Sequence, residues 1–119
     1  MSPGSPLPDH GLVVRCGAPP FPNNPLLGAC GKHPDGPFGF SVQSGAEVTL
    51  EQLAVVCRNN QIGFTTVGAI RTMGYDVVPT AGPGQHATVV VPVDWTPDAA
   101  EELARLFQRA QNPARGNRP

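Results

Sequence analysis

At 119 residues the chain has the length of one domain with a single core. A net charge of −1 with 14% charged residues excludes a general nucleic-acid or membrane-surface binder, because either needs a basic excess. Its 14 glycines and 15 prolines make up about a quarter of the chain, so much of it is loop.

No run reaches the roughly 18 apolar residues of a membrane span. The opening MSPGSPLPDHG has neither the basic start nor the apolar segment of a signal peptide, and the expected location is the cytoplasm. Cys16, Cys30 and Cys57 cannot all pair internally. They read as reduced thiols, with Cys57 in the core.

Residues 1–10, rich in Pro, Ser and Gly, read as a disordered leader to a single domain over 11–111. GLVVRC at 11–16 is the first apolar burst and predicts a strand. Arg15 either points to solvent or is aimed into a cleft to hold an anion. Residues 17–37 hold six prolines, which excludes a helix or an interior strand. So long a connection in a small domain fits a lid or binding loop. Pro19–Pro25 also has the composition of a polyproline ligand, although stiffening of the loop accounts for it.

FGFSVQ at 38–43 alternates Phe38, Phe40 and Val42 against Gly39, Ser41 and Gln43. That period predicts a half-buried strand with Ser41 facing away from the aromatics. Thr49 with Gln52 makes a capping box for a helix over 49–58, whose Leu50, Leu53, Ala54 and Cys57 share a face. Ile62–Phe64 reads as a short strand or a link. Thr65 or Thr66 caps a second helix over 65–73, and Gly74 suits its end.

Tyr75–Pro79 and Ala87–Val91 are two β-branched runs joined by a Gly/Pro connection, the pattern of two strands of one sheet, near 75–79 and 87–92. Val89–Val91 is unbroken and apolar, as in a central strand. Thr96, Pro97 and the acids Asp98, Glu101 and Glu102 open a last helix over 97–110. Its buried face is Ala100, Leu103, Ala104, Phe107 and Ala110, and residues 112–119 read as a disordered tail. The order β, β, α, α, β, β, α lacks regular β-α-β alternation and predicts an α+β fold with a mixed or antiparallel sheet.

Cys30-Gly-Lys-His33 has the spacing of half a zinc site, to which Cys16 or Cys57 would add a third ligand. The second paired half of a structural site is missing, so no metal is expected. His86 and Thr88 stand two apart and share a strand face. Two-histidine phosphoesterases clamp phosphate with such a His-x-Thr element but need two copies, and this chain has one.

Taken together, LVVRC, FGFSVQ and QHATVVVP resemble the layout of the ADP-ribosyltransferase-like fold. In that fold an Arg or His on the first strand, a Ser- or Tyr-bearing second strand and a late Glu or Gln surround bound NAD. The stretch HATVVVP…W…A..L..LF..A is similar to the end of a small bacterial toxin family of that fold. The resemblance implies that Arg15 contacts the nicotinamide-side phosphate or ribose and that Ser41 supports the nicotinamide pocket. Thr88 would add a hydroxyl beside the cofactor, and Gln85 or His86 would stand where the family has its catalytic carboxylate. No glutamate occurs there. NAD as co-substrate, in a cleft between the first and late strands, is the implied ligand. The alternative is a non-enzymatic interaction module, of antitoxin, immunity or regulatory type, using the loop 17–37 to hold a protein partner.

Overall fold

The computed structural model describes residues 7–17, 31–32, 38–80 and 84–114. Their elements are strand β1 (Leu12–Cys16), β2 (Gly31–Lys32), β3 (Phe38–Gly45), helix α1 (Leu50–Ala54), β4 (Gln61–Thr66), α2 (Val67–Thr72), β5 (Asp76–Pro79), β6 (His86–Val90), α3 (Pro97–Ala104) and β7 (Gln108–Gln111). All described strands join one sheet in the order β5-β6-β3-β1-β4-β7, with the short β2 paired to β3. Every pairing is antiparallel. The α+β expectation therefore holds, and the two late runs pair directly, Asp76 with Val90 through Pro79 with Ala87.

Both faces of the sheet are covered, each by its own apolar cluster. On one face Val13, Phe40, Val42, Val77, Ala87 and Val89 meet Val67 and Ile70 of α2, Ala100, Leu103 and Ala104 of α3, and Trp95. Trp95 is the hub: its ring stacks on Phe40 at 6.0 Å, meets Tyr75 edge-on at 5.7 Å, and its Nε1 donates to the Tyr75 hydroxyl at 2.8 Å. An indole buried with its N–H satisfied brings its apolar area to the core without a polar penalty. On the other face Val14 and Ile62 pack with Leu53, Ala54 and Cys57 from α1 and the segment after it.

The caps are those the sequence predicts. Thr49 Oγ1 accepts from Gln52 N while Gln52 Oε1 accepts from Thr49 N. Thr66 and Thr96 cap α2 and α3 through Ala69 N and Ala99 N, and Gly74 takes a φ of 95° after α2. All three helices are shorter than predicted, α2 because Thr65 and Thr66 belong to β4 and the helix starts at Val67. Helix α1 stops at Ala54, leaving Val55 66% exposed, and the chain then turns so that Cys57 reaches Cys16.

The last helix is corrected more substantially: it ends at Ala104, and 108–111 is strand β7 on the open edge of β4. Phe107 and Ala110 share a face at helical spacing. Three apart in extended chain they point oppositely, and Phe107 joins the α3-side cluster while Ala110 packs on the α1 side. Pairing the exposed N–H and C=O groups of β4 favours the strand.

Both chain ends of the domain extend past the expected limits. Arg71 donates to Asp9 Oδ1 at 2.7 Å and to Asp76 Oδ1 at 2.8 Å, and these two carboxylates, Asp76 first, raise its already high pKa. Residues 7–10 are thereby tied to α2 and β5. Asn112, the first residue of the expected tail, is fully buried. Its Nδ2 lies within donating distance of the carbonyls of Ala54 (3.4 Å), Cys57 (3.3 Å) and Asn59 (3.0 Å), while Oδ1 accepts from Ala114 N. No helix among the described residues is long and apolar enough to cross a membrane.

Candidate functional site

The β1–β3 ladder is only three pairs long, from Leu12–Gly45 to Val14–Gln43. Beyond it β1 stays paired with β4 as far as Cys16–Ile62, and β3 stays with β6 from Gln43–His86 to Gly39–Val90. Each strand follows its outer neighbour, and a cleft opens between them. It encloses about 220 Å³ and is lined by Val14, Arg15, Cys16, Ser41, Val42, Gln43 and His86. The bounding strands are thus β1 and β3, with β6 contributing His86 from beyond β3.

Arg15 is among the residues lining this opening and is 6% exposed, so it does not point to solvent. Its Nη1 donates to the Ser41 carbonyl at 2.9 Å, and its guanidinium carbon is 5.3 Å from the Phe40 ring centroid. An aromatic face and a fixed carbonyl orient a planar guanidinium far better than they would an ammonium group. Among the described residues that line the cleft none is acidic, and Arg15 is the one with a fixed charge.

From the sequence Gln43 is only a polar strand position. In the fold it is 7% exposed, and its Oε1 accepts from Gln85 N at 2.7 Å while Gln85 O accepts from Ser44 N at 2.9 Å. These bonds staple the turn before β6 against β3. Gly84 completes that turn at a φ of 66°, where a Cβ would stand 2.8 Å from Gln43 Oε1. Because the staple uses the Gln85 backbone, the Gln85 side chain is exposed and is not among the lining groups.

His86 sits at the near end of β6, half-buried, with its Nδ1 2.9 Å from Thr80 Oγ1. Thr80 Oγ1 is also 2.9 Å from Thr88 Oγ1. Ser41 and Thr88 are cross-strand partners, so their side chains share the sheet face opposite the Trp95 cluster. Ser41 is exposed there and Thr88 is 2% exposed. Of the residues picked out from sequence, Arg15, Ser41 and His86 line the cleft, and Thr88 and Gln85 are not among its lining residues.

The reduced-thiol expectation is overturned. Cys16 and Cys57 form a disulfide across 41 residues, with their Cα atoms 5.3 Å apart. The side-chain alternation of β1 turns Cys16 away from Arg15 and toward α1, and the turn after α1 brings Cys57 to it. Cys57 is nonetheless a core residue, 3% exposed. The bond takes both thiols that would have supplemented a Cys30–His33 metal half-site; Cys30 and His33 themselves, and all of loop 17–37 but Gly17, Gly31 and Lys32, lie outside the described residues. Compared with protein-family models, curated proteins and solved structures, the chain finds no match.

Proposed function

We propose that the chain binds NAD, or a nucleotide-like anion, in the β1–β3 cleft, as an ADP-ribosyltransferase-like domain of the small bacterial toxin type. The observation that carries the reading is that Arg15, Ser41 and His86 all line one cleft whose described wall has a cation and no acid. A guanidinium held by Phe40 and the Ser41 carbonyl suits a pyrophosphate or phosphate oxygen. The Ser41 hydroxyl suits a ribose or carboxamide group. At about 220 Å³ the cleft is smaller than the roughly 300–1,000 Å³ of a site that swallows a whole drug-sized ligand. It holds one end of a dinucleotide, and the remainder lies across the mouth.

The chemistry at the scissile end is where this chain differs from the family it resembles. A carboxylate stabilises an oxocarbenium-like centre electrostatically; a neutral imidazole hydrogen-bonds a ribose hydroxyl but supplies no negative charge. Binding is therefore the primary expectation, with nicotinamide release slow. Calorimetric titration with NAD tests this, using Arg15→Lys, Arg15→Ala and His86→Ala proteins whose folding is checked by circular dichroism. Binding weakened by each substitution, most by Arg15→Ala, is the expected result. No heat up to millimolar NAD, or affinity indifferent to all three changes, would refute the site and leave the reading of a partner-binding module. Binding without nicotinamide release would keep the site and discard the transferase.

A further inference from the structure

We propose that the Cys16–Cys57 disulfide is a redox gate on the β1–β3 cleft: oxidised, it braces the two cleft walls in the arrangement that binds the ligand, and thiol–disulfide exchange with a dithiol opens the brace and weakens binding. The ligand half rests on the cleft reading above, and the brace stands on geometry alone.

The ladder between β1 and β3 ends at Val14–Gln43, and two further ties span the gap beyond it. One is the bond from Arg15 Nη1 to the Ser41 carbonyl. The second runs over the α1 side. Cys16, a lining residue, is bonded to Cys57. The preceding Val56 lies against Gly84, with its Cγ1 3.1 Å from where a Cβ on that glycine would stand. Gly84 in turn leads into Gln85, whose N–H is held by Gln43 Oε1, and Gln43 lines the cleft from β3. The row of contacts therefore starts on one wall and ends on the other. Val14, on the first wall, also packs with Leu53, Ala54 and Cys57, so a shift of that segment is felt there directly.

The two sulfurs differ in access. Cys57 is 3% exposed, whereas Cys16 is partly exposed and lines the cleft. A thiolate of an incoming dithiol therefore attacks Cys16 Sγ. The S–S bond breaks, its electron pair leaves on Cys57 Sγ, which takes a proton, and a mixed disulfide remains on Cys16. The second thiolate of the dithiol attacks its own sulfur in that mixed disulfide, closing a cyclic disulfide and expelling Cys16, which takes the second proton. The protein gains two electrons and two protons, and the dithiol loses them. Asn112 keeps its contacts with the carbonyls of Ala54, Cys57 and Asn59, so the released segment loosens without leaving the domain.

The test is calorimetric titration with NAD of the oxidised wild type, the same protein in excess dithiothreitol, and oxidised Val56→Ala, all shown folded by circular dichroism. Reduction should weaken binding roughly tenfold, because the ligand must then order side chains that the brace had held, and Val56→Ala should fall between the two forms. By linkage, saturating NAD should raise by the same factor the ratio of reduced to oxidised dithiothreitol at which half of the protein is reduced. Equal affinity in both redox states, or a half-reduction ratio unmoved by NAD, would overturn the gate and leave the cleft reading standing. If neither form binds NAD, the cleft reading falls and the gate with it, and ¹H–¹⁵N spectra still decide the brace. Reduction should shift the amides of Gly84 and Gln85 on the far wall, a response that Val56→Ala should diminish; amides there that ignore reduction would refute the brace.

Discussion

Removing the Cys16–Cys57 bond should be among the most costly single changes to this domain that leave its apolar core intact. The crosslink spans 41 residues, and the chain-entropy relation for a loop of that size gives about 4 kcal/mol. Domains of this kind have a total stability of roughly 5–15 kcal/mol, so the loss is a large fraction of the whole. The perturbation is the double variant Cys16→Ala/Cys57→Ala, which leaves neither sulfur as a lone thiol. The assay is urea unfolding followed through Trp95, the sole tryptophan and 7% exposed. With an m-value near 1.5 kcal/mol/M, a loss of about 3–4 kcal/mol lowers the midpoint by roughly 2–2.7 M, and a reductant should do the same to the wild type. Because the bond ties β1 to the segment after α1, amides of 50–57 should also exchange faster than those of β3 and β6. Three titratable thiols in native protein prepared without reductant would refute the reasoning, as would a midpoint unmoved by reduction.

Asn112→Ala should cost about 2–4 kcal/mol in the same unfolding assay, because the carbonyls of Ala54, Cys57 and Asn59 lose a shared donor inside the protein; a loss below about 1 kcal/mol would mean that water replaces it. Gly39→Ala should cost more than about 2 kcal/mol, since a Cβ at that position overlaps the Val89 carbonyl oxygen and would push β3 off β6. A near-neutral result there would contradict the β3–β6 register.

What the sequence makes legible is local. The capping box at Thr49, the caps at Thr66 and Thr96, and the alternation from Phe38 to Gln43 are set by neighbours within four residues, and each appears as read. Strands β4 and β7 are not local in this sense. Gln61–Thr66 has no clean alternation because Gly63 stands opposite Arg15, and 108–111 is extended only because β4 offers an edge. The disulfide joins residues 41 apart and leaves no mark on composition or spacing. At the site, Arg15 was visible as an oddity in an apolar strand, whereas Gln43 and Thr80 were not. Both are ordinary residue types whose roles arise from what the register places across from them, the Gln85 backbone for one and His86 for the other.

The cleft and the fold trace to the same side chain. Ser44 N donates to Gln85 O, and Phe38 O accepts from Val91 N, so the even-numbered residues of β3 turn their backbone groups toward β6 and the odd-numbered ones toward β1. The Ser41 carbonyl is therefore one that a ladder partner on β1 would ordinarily serve, since the register that pairs Val14 with Gln43 would next pair Cys16 with Ser41. That pair is not made. Arg15 Nη1 takes the position of the missing backbone donor, satisfying the carbonyl from the tip of a side chain instead of from a strand about 5 Å away. A long planar donor in place of a ladder N–H lets the two strands separate without an unpaired carbonyl, and it sets a cation in the gap that the separation creates. A lysine keeps the charge but neither the fork nor the stacking on Phe40. For that reason Arg15→Lys, which tests ligand binding, also tests whether the cleft is held open by the residue that would bind in it.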